Sequence, residues 1–192
     1  TTDGFNIAYH TLGEGPTDLV RIASYFSNLE HIWTNPTVAG AGRALAELGR
    51  LIEFDARGTG LSDRLRGDRL PSLEERIDDL RAVMDVARSE RAILVAFADA
   101  GPFCCLFAAT YPGRTKALIL SNTSPRMAWA PDYPWGTTPE AFQSELEDSL
   151  TRWGTREYAA EIVRINHGSI DFQDGSGGGL RVRLALPLAA AP

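Results

Sequence analysis

Basic residues, histidine and long apolar runs are scarce in this sequence, and these shortages exclude several classes of protein. Lysine and arginine number 19 against 25 aspartates and glutamates, which gives a formal net charge of −6. No basic run or basic–aromatic interleaving is present, so we expect no nucleic-acid partner. No apolar run reaches the roughly 18 residues of a membrane span, and no signal peptide opens the chain. We therefore expect no membrane partner and a cytoplasmic location. The first residue is not methionine, which indicates trimming or a fragment.

Cysteine is also rare, and its placement argues against disulfides. The two cysteines, Cys104 and Cys105, are adjacent and flanked by apolar residues on a predicted helix. Neighbours on a helix point about 100° apart and rarely pair, so we predict two reduced thiols in the core. We predict neither a metal site nor a cofactor.

The sequence does contain alternating strand and helix patterns over its first 121 residues. With 192 residues, 44% hydrophobic and 23% charged, it is long enough for one α/β domain. The best helix opens at Ser72, which forms a capping box with Glu75 ahead of an apolar stripe. Strands are predicted at 6–9, 18–23, 50–54, 92–97 and 117–120, and further helices at 36–48 and 102–111. This order predicts a mostly parallel sheet with helices on both faces.

The pattern changes after residue 121. An irregular stretch with Trp129, Tyr133 and Trp135 precedes a helix capped by Thr138 and a second helix over 156–165. Further on, 175–179 have a linker composition, 180–186 alternate like a strand, and 187–192 show no pattern. We divide the chain into a core at 1–124, a helical region at 125–174, and a Gly-rich linker with an irregular tail at 175–192.

The loop at 54–63 carries the most specific motif, F-D-x-R-G-x-G-x-S-D, directly after a predicted buried strand. Gly58 and Gly60 allow backbone angles that residues with a Cβ disfavour. Asp55 and Arg57 supply a carboxylate and a guanidinium that can fix the loop by charge-assisted hydrogen bonds. The motif resembles the loop after the fourth strand of α/β-hydrolases, where it supports the active site without performing the reaction.

A wider resemblance covers roughly residues 1–160. The segments 54–63, 71–85, 107–112 and 130–136, with the Gly101-Pro102 step, are similar to bacterial α/β-hydrolase domains found beside adenylate/guanylate cyclase domains. Those domains are similar to esterases and to proline iminopeptidase-like hydrolases with a Ser-Asp-His triad. The resemblance makes 125–174 a cap whose pocket includes Trp129, Tyr133 and Trp135. It implies a small apolar ester or acid as ligand and a cyclase domain as a possible neighbour.

The family places its nucleophile on a tight strand-to-helix turn, flanked by small residues. The matching turn here spans 96–102, and Ala96 and Ala100 keep the small flanking positions. The nucleophile position is Ala98, and a methyl group cannot attack a carbonyl. The resemblance assigns the oxyanion-hole backbone N–H groups to Asp99 and to Phe26, in a loop whose Ser24-Tyr25 departs from the family pattern.

The other triad members are also missing, because nothing after residue 166 resembles the late strands that carry them. The three histidines are His10 at the end of an edge strand, His31 on a loop, and His167 where a cap helix stops. We expect His10 and His31 to be ordinary polar residues. His167 alone lies beyond the turn, so we keep it as a catalytic candidate.

A shift of one residue would make Asp99 the nucleophile, as in haloalkane dehalogenases, since a carboxylate can form an ester intermediate. That shift misplaces Gly101 and puts Ala100 where those enzymes usually have a halide-binding tryptophan. We favour the simpler interpretation that Asp99 is an acidic residue in the first turn of the helix, where it interacts favourably with the helix dipole.

Three hypotheses follow from these residues. The chain is a carboxylic-ester hydrolase type impaired at Ala98, a non-catalytic small-ligand-binding or regulatory module, or a hydrolase with Asp99 as nucleophile. A sheet without late strands leaves one edge exposed, so we also predict self-association.

Overall fold

The computed structural model describes residues 1–22, 27–65, 67, 69–165, 167–174 and 180–185. They belong to two compact units, Thr1–Arg126 and Met127–Pro192. The strands of the first unit are β1 (Tyr9–Leu12), β2 (Asp18–Ile22), β3 (Arg50–Phe54), β4 (Ala92–Phe97) and β5 (Thr115–Ser121). Its α-helices are α1 (Leu29–Ile32), α2 (Pro36–Leu48), α3 (Leu73–Val86) and α4 (Ala100–Thr110).

The five strands of the first unit form one sheet in the order β1-β3-β2-β4-β5. β1 runs antiparallel to β3, and the other neighbours are parallel. This arrangement confirms the predicted α/β fold with a mostly parallel sheet. From β2 the chain passes to β3 on one side of it and then crosses to β4 on the other side. The order in which strands are added therefore reverses between β2 and β4, although these strands are parallel.

Helices cover both faces of this sheet. Successive strand residues point to opposite sides, so each strand contributes side chains to both faces. The main core lies on one face, where Val20, Ile52 and Leu94 are fully buried in one cluster with side chains of α3 and α4. Leu19 and Leu51 are buried on the opposite face. On that face a polar cluster forms around Glu53, whose carboxylate accepts hydrogen bonds from Arg21, His10 and Trp33, the last two at 2.9 and 3.0 Å.

Where the structure departs from the predicted elements, the cause lies in contacts distant in sequence. β1 begins at Tyr9, whereas a strand was predicted at 6–9. Asn6 bonds through its backbone N–H and its side chain to Asp63, and the Ala8 N–H bonds to Ser62, so this segment follows the loop instead. α1 was not predicted and α4 starts at Ala100 instead of residue 102.

Both cysteines are free, and burial raises the pKa of the Cys104 thiol to about 12.

The second unit contains two helices and a hairpin. The helices are α5 (Pro139–Arg152), capped by Thr138 as expected, and α6 (Arg156–Ile165). The hairpin pairs β6 (Ser169–Asp174) with β7 (Leu180–Ala185) in antiparallel register. The sequence analysis predicted a strand at 180–186 within the segment treated as linker and irregular tail, but none at 169–174.

The loop after β3 is held by buried carboxylates. Asp55 is fully buried, and its Oδ2 accepts the backbone N–H groups of Leu29 at 3.2 Å and Leu61 at 2.9 Å. A Cβ on Gly60, whose φ is +50°, would lie 2.1 Å from Asp55 Oδ2. Asp55 and Arg57 therefore fix the loop through separate partners.

Arg57 ties this loop to α3. Its guanidinium makes two hydrogen bonds to the carboxylate of Asp79, at 2.7 and 2.5 Å, and a third to Asp3 at 2.9 Å. Both Arg57 and Asp79 are buried, and the hydrogen bonds that Arg57 donates to Asp79 raise the pKa of Arg57 further. Asp3 accepts hydrogen bonds from Thr1, which has the larger effect, and from Arg57, and together they lower its pKa to about 2.

We predict that Asp79→Asn destabilises the first unit by roughly 3–5 kcal/mol, because it leaves the Arg57 charge buried without its bidentate partner. Asp78→Asn is the matched control, since the side chain of the neighbouring Asp78 is about half exposed and pairs with Arg81 across one helical turn. The control should change stability by no more than about 0.5 kcal/mol. Urea unfolding of both variants measures the difference, and equal midpoints would contradict the structural role of the pair.

Candidate active site at the β4–α4 turn

Ala98 has the left-handed backbone conformation of a strained strand-to-helix turn. It lies between β4 and α4 with a φ of +51°, a conformation that costs a residue with a Cβ roughly 1–2 kcal/mol. Its N–H donates to the carbonyl of Ser121 at 3.1 Å, and its own carbonyl accepts from the Gly101 N–H at 3.3 Å. The structure thus has a sharp turn at Ala98, the residue that the sequence analysis matched to the nucleophile. The side chain at this position is a methyl group.

The residues beside the turn are small because α4 starts close to the sheet. Ala96 and Ala100 are buried on either side of Ala98. A Cβ on Gly101 would lie 2.0 Å from Thr123 Oγ1 and 2.8 Å from Thr123 Cβ, just beyond the end of β5. Only glycine fits this approach between the first turn of α4 and the chain after β5.

Asp99 is the N-cap of α4 and has helical backbone angles, with φ −67° and ψ −12°. Its carboxylate lies 4.0 Å from the guanidinium of Arg76 on α3, and both side chains are mostly buried. The Arg76 guanidinium also stacks on Phe103, 5.1 Å from the ring centroid. Asp99 therefore faces a cation carried by the neighbouring helix.

Sequence analysis did not single out Arg76. A signal was available, because Arg76 lies near the N-terminal end of α3, where the helix dipole disfavours a cation. A cation there calls for an acidic partner, although the sequence does not say which one.

The turn stands where open parallel sheets bind ligands, at the carboxyl ends of strands beside the reversal of strand order. A small space lined by Ile22, Phe54, Ala56, Arg76, Asp79 and Phe103 lies at the ends of β2 and β3. A larger cavity of about 310 Å³ shares Ala56 and Arg76 with it. Its other lining residues are Arg57, Gly58, Thr59, Leu65, Leu70, Pro71 and Leu73.

Neither histidine of the first unit, His10 or His31, contacts the β4–α4 turn in the structure. His10 lies within β1, bonds Glu53 through Nε2 at 2.9 Å and packs edge-on against Trp33. His31 is part of α1, where a loop was expected. His167 belongs to the second unit and ends α6, with a φ of +56° and its N–H bonded to the Arg164 carbonyl at 2.9 Å.

The aromatic residues assigned to a cap pocket are ordered within the second unit. The Trp129 N–H donates to the Thr137 carbonyl at 2.9 Å. The rings of Tyr133 and Trp135 pack edge to face with centroids 5.0 Å apart, and Trp135 is 74% exposed. Tyr133 and Trp135 therefore form one aromatic pair in the second unit.

The remaining sequence predictions concern Phe26, metal binding and a membrane span. Phe26, the second oxyanion-hole candidate, lies outside the described residues, as do Ser24 and Tyr25. Within the part of the chain that the structure describes, no three His, Cys, Asp or Glu side chains are grouped to hold a metal ion. A search of the same residues finds no helix with the length and apolar character needed to cross a membrane.

One curated protein is similar in sequence to part of this chain. A Bacillus subtilis (strain 168) protein named as a 2-succinyl-6-hydroxy-2,4-cyclohexadiene-1-carboxylate synthase is 27% identical over 127 residues, which is 65% of this chain and 43% of that protein. The chain thus spans less than half the length of this curated relative. No protein-family model matches the chain.

Solved structures agree with this relationship. The structure of Est816, an N-acyl homoserine lactone degrading enzyme, is 26% identical and superposes with a TM-score of 0.53 over 63% of this chain and 43% of its own. The esterase EaEST from Exiguobacterium antarcticum, 20% identical, matches the fold over 84% of this chain and 56% of its own, with a TM-score of 0.64. The chain therefore has the α/β-hydrolase fold.

We predict opposite effects of an added methyl group at two glycines that lie in helices. Gly101→Ala should destabilise the first unit by about 1–3 kcal/mol, because the new Cβ overlaps Thr123. Gly40→Ala in α2 has no atom within 4 Å of the new Cβ and should stabilise by up to about 1 kcal/mol. Thermal unfolding compares the two, and a Gly101→Ala protein as stable as the parent would mean that α4 does not approach the chain after β5 this closely.

Proposed function

We propose that this chain is an α/β-hydrolase of the carboxylic-ester hydrolase type in which Ala98 occupies the nucleophile position, so that it binds esters without the covalent step. One observation carries the proposal. Ala98 has a φ of +51° at the carboxyl end of β4, the backbone position at which this superfamily presents its nucleophile.

The chemical consequence follows from the side chain. A serine hydroxyl at this turn attacks the ester carbonyl once a base removes its proton, and an acyl-enzyme forms. A methyl group has neither a lone pair nor a transferable proton, so that step is lost. Loss of a triad nucleophile lowers turnover by about 10⁶-fold, and the activity that remains comes from substrate binding and the oxyanion hole. We assign that hole to the backbone N–H groups of Asp99 and Phe26.

The ligand class rests on the relatives and on the cavity lined by Arg76, the residue that faces Asp99. Est816 degrades N-acyl homoserine lactones, which are cyclic esters that carry an acyl chain. The 310 Å³ cavity is lined by Leu65, Leu70 and Leu73, with Arg76 on its wall. Leucine side chains suit an acyl chain, so we propose a small apolar ester or lactone, or the corresponding acid, as ligand.

Asp99 is better explained as a positioning residue than as a nucleophile. Its helical backbone angles place it within the first turn of α4, and its carboxylate faces Arg76. A carboxylate held by a cation and a helix dipole is less available for attack on a substrate carbon. The Asp99-nucleophile hypothesis therefore ranks below the ester-binding one.

A second candidate function, a non-catalytic ligand-binding or regulatory module, is favoured by the aromatic pair of the second unit. Tyr133 and Trp135 pack against each other while Trp135 stays 74% exposed. An exposed, ordered aromatic pair suits an apolar ligand. A cytoplasmic location and a neighbouring cyclase domain remain part of the proposal.

We predict that the chain hydrolyses short-chain p-nitrophenyl esters no faster than buffer does, and that Asp99→Asn leaves this rate unchanged. Initial rates beside Ala98→Ser test the assignment. Activity gained only by Ala98→Ser would support position 98 as the nucleophile site and show that a competent base reaches it. Hydrolysis by the parent chain that Asp99→Asn abolishes would contradict the proposal and make Asp99 the nucleophile.

If Ala98→Ser is inactive as well, the residues on which ligand binding depends separate the two candidate functions. Isothermal titration with N-butyryl or N-hexanoyl homoserine lactone measures binding without turnover. The module function predicts saturable binding that Trp135→Ala weakens, whereas Trp153→Ala, an equally exposed tryptophan at the end of α5, should not change it. No heat of binding with either lactone would count against the module.

A further inference from the structure

Arg76 is a mostly buried cation on the wall of the 310 Å³ cavity. Its side chain is 16% exposed, and its guanidinium stacks on Phe103. The nearest atoms of this guanidinium and the Asp99 carboxylate are 4.0 Å apart, which is beyond hydrogen-bond distance. No hydrogen bond joins the guanidinium to another residue in the part of the chain that the structure describes. A guanidinium has five N–H donors, so those of Arg76 are open to a ligand in the cavity.

The second cation on the cavity wall, Arg57, is already occupied. Its guanidinium donates to Asp79 at 2.7 and 2.5 Å and to Asp3 at 2.9 Å. Two carboxylates in hydrogen-bond contact therefore balance its charge. Arg76 has one carboxylate at a longer distance, and the attraction between charges weakens as they separate. Of the two arginines, Arg76 is the one that can take an anion.

The rest of the wall is mostly apolar. Leu65, Leu70 and Leu73 line the cavity, and all of its lining residues lie between Ala56 and Arg76. One loop and the start of one helix therefore form it. Its volume is at the lower end of the roughly 300–1,000 Å³ of small-molecule sites. Leucines beside a single available guanidinium suit a ligand with one alkyl chain and one anionic group.

We propose that this cavity binds a small aliphatic carboxylate, with the carboxylate on the Arg76 guanidinium and the alkyl chain against the three leucines. A guanidinium binds a carboxylate through two parallel N–H···O hydrogen bonds, a geometry that an ester or a lactone with one carbonyl oxygen does not match. Binding here rests on the proposed function in that the cavity is taken as the ligand site, and it selects the acid over the ester and the lactone.

Isothermal titration of the whole chain with octanoate, and with octanamide as a neutral ligand of the same shape, tests this site. Octanoate should bind about 10–100-fold more tightly, because its hydrogen bonds to Arg76 join two charges. Arg76→Gln should remove this preference while octanamide still binds, which also shows that the variant folds. Equal affinity of the two ligands in the parent chain, or a preference that survives Arg76→Gln, would overturn the assignment.

Arg81→Gln is the matched control. Arg81 lies on the same helix and also stacks on an aromatic ring, that of Tyr111, but it does not line the cavity. The affinities for octanoate and octanamide should both stay at their parent values. An equal loss of octanoate binding in Arg81→Gln and Arg76→Gln would mean that the charge of α3 acts from a distance, and it would overturn direct contact with Arg76.

Asp99→Asn tests the site without altering Arg76. The substitution removes the carboxylate that competes with the ligand for the guanidinium, at 4.0 Å. Octanoate should then bind about fivefold more tightly or better, and octanamide should be unaffected. Unchanged or weaker octanoate binding would contradict the assignment of Arg76 as the cation that holds the ligand.

Three outcomes separate this site from the proposed function. Binding of N-hexanoyl homoserine lactone without a preference for octanoate over octanamide would overturn the carboxylate site and leave the ester-binding function in place. Octanoate binding that Trp135→Ala weakens and Arg76→Gln does not would place the ligand at the aromatic pair, again overturning the site. No binding of any of the three ligands would overturn both, whereas the Ala98→Ser rates test the nucleophile position independently.

Discussion

The buried ion pair between Arg57 and Asp79 is the interaction on which the rest of the first unit depends. It joins the loop after β3 to α3, while Asp55 inside the same loop binds the backbone N–H groups of Leu29 and Leu61. Two buried carboxylates thus fix α1, α3 and the loop at the carboxyl end of the sheet. A buried pair of this kind costs desolvation, and its use here is to specify one arrangement of the loop.

That arrangement also determines the surroundings of the β4–α4 turn. α3 carries both Asp79, which holds the loop, and Arg76, which faces Asp99 at 4.0 Å. The electrostatics of the turn are therefore set by the same helix that anchors the loop. The loop motif therefore contributes to the site by placing α3.

Local patterns predicted the parts of the fold in which the signal lies within one element. The capping box at Ser72, the apolar run of β4 and the cap at Thr138 all occur in the structure at the residues expected. The errors come from contacts between distant residues. β1 is displaced because residues 6–8 bond to Ser62 and Asp63, and the Arg76–Asp99 pair joins residues 23 positions apart. The single-turn helix α1 and the strand β6 have too little periodicity to be recognised.

The alanine at position 98 shows which interactions enforce the turn. A left-handed alanine is disfavoured, yet the backbone there is held by a bond to Ser121 on β5 and by the close approach of Gly101 to Thr123. None of these contacts involves the side chain of residue 98. The turn therefore follows from packing α4 against the sheet, and a serine would meet the same backbone. Backbone geometry and side-chain chemistry are therefore separable at this position. The fold produces the turn whether or not the sequence places a nucleophile on it.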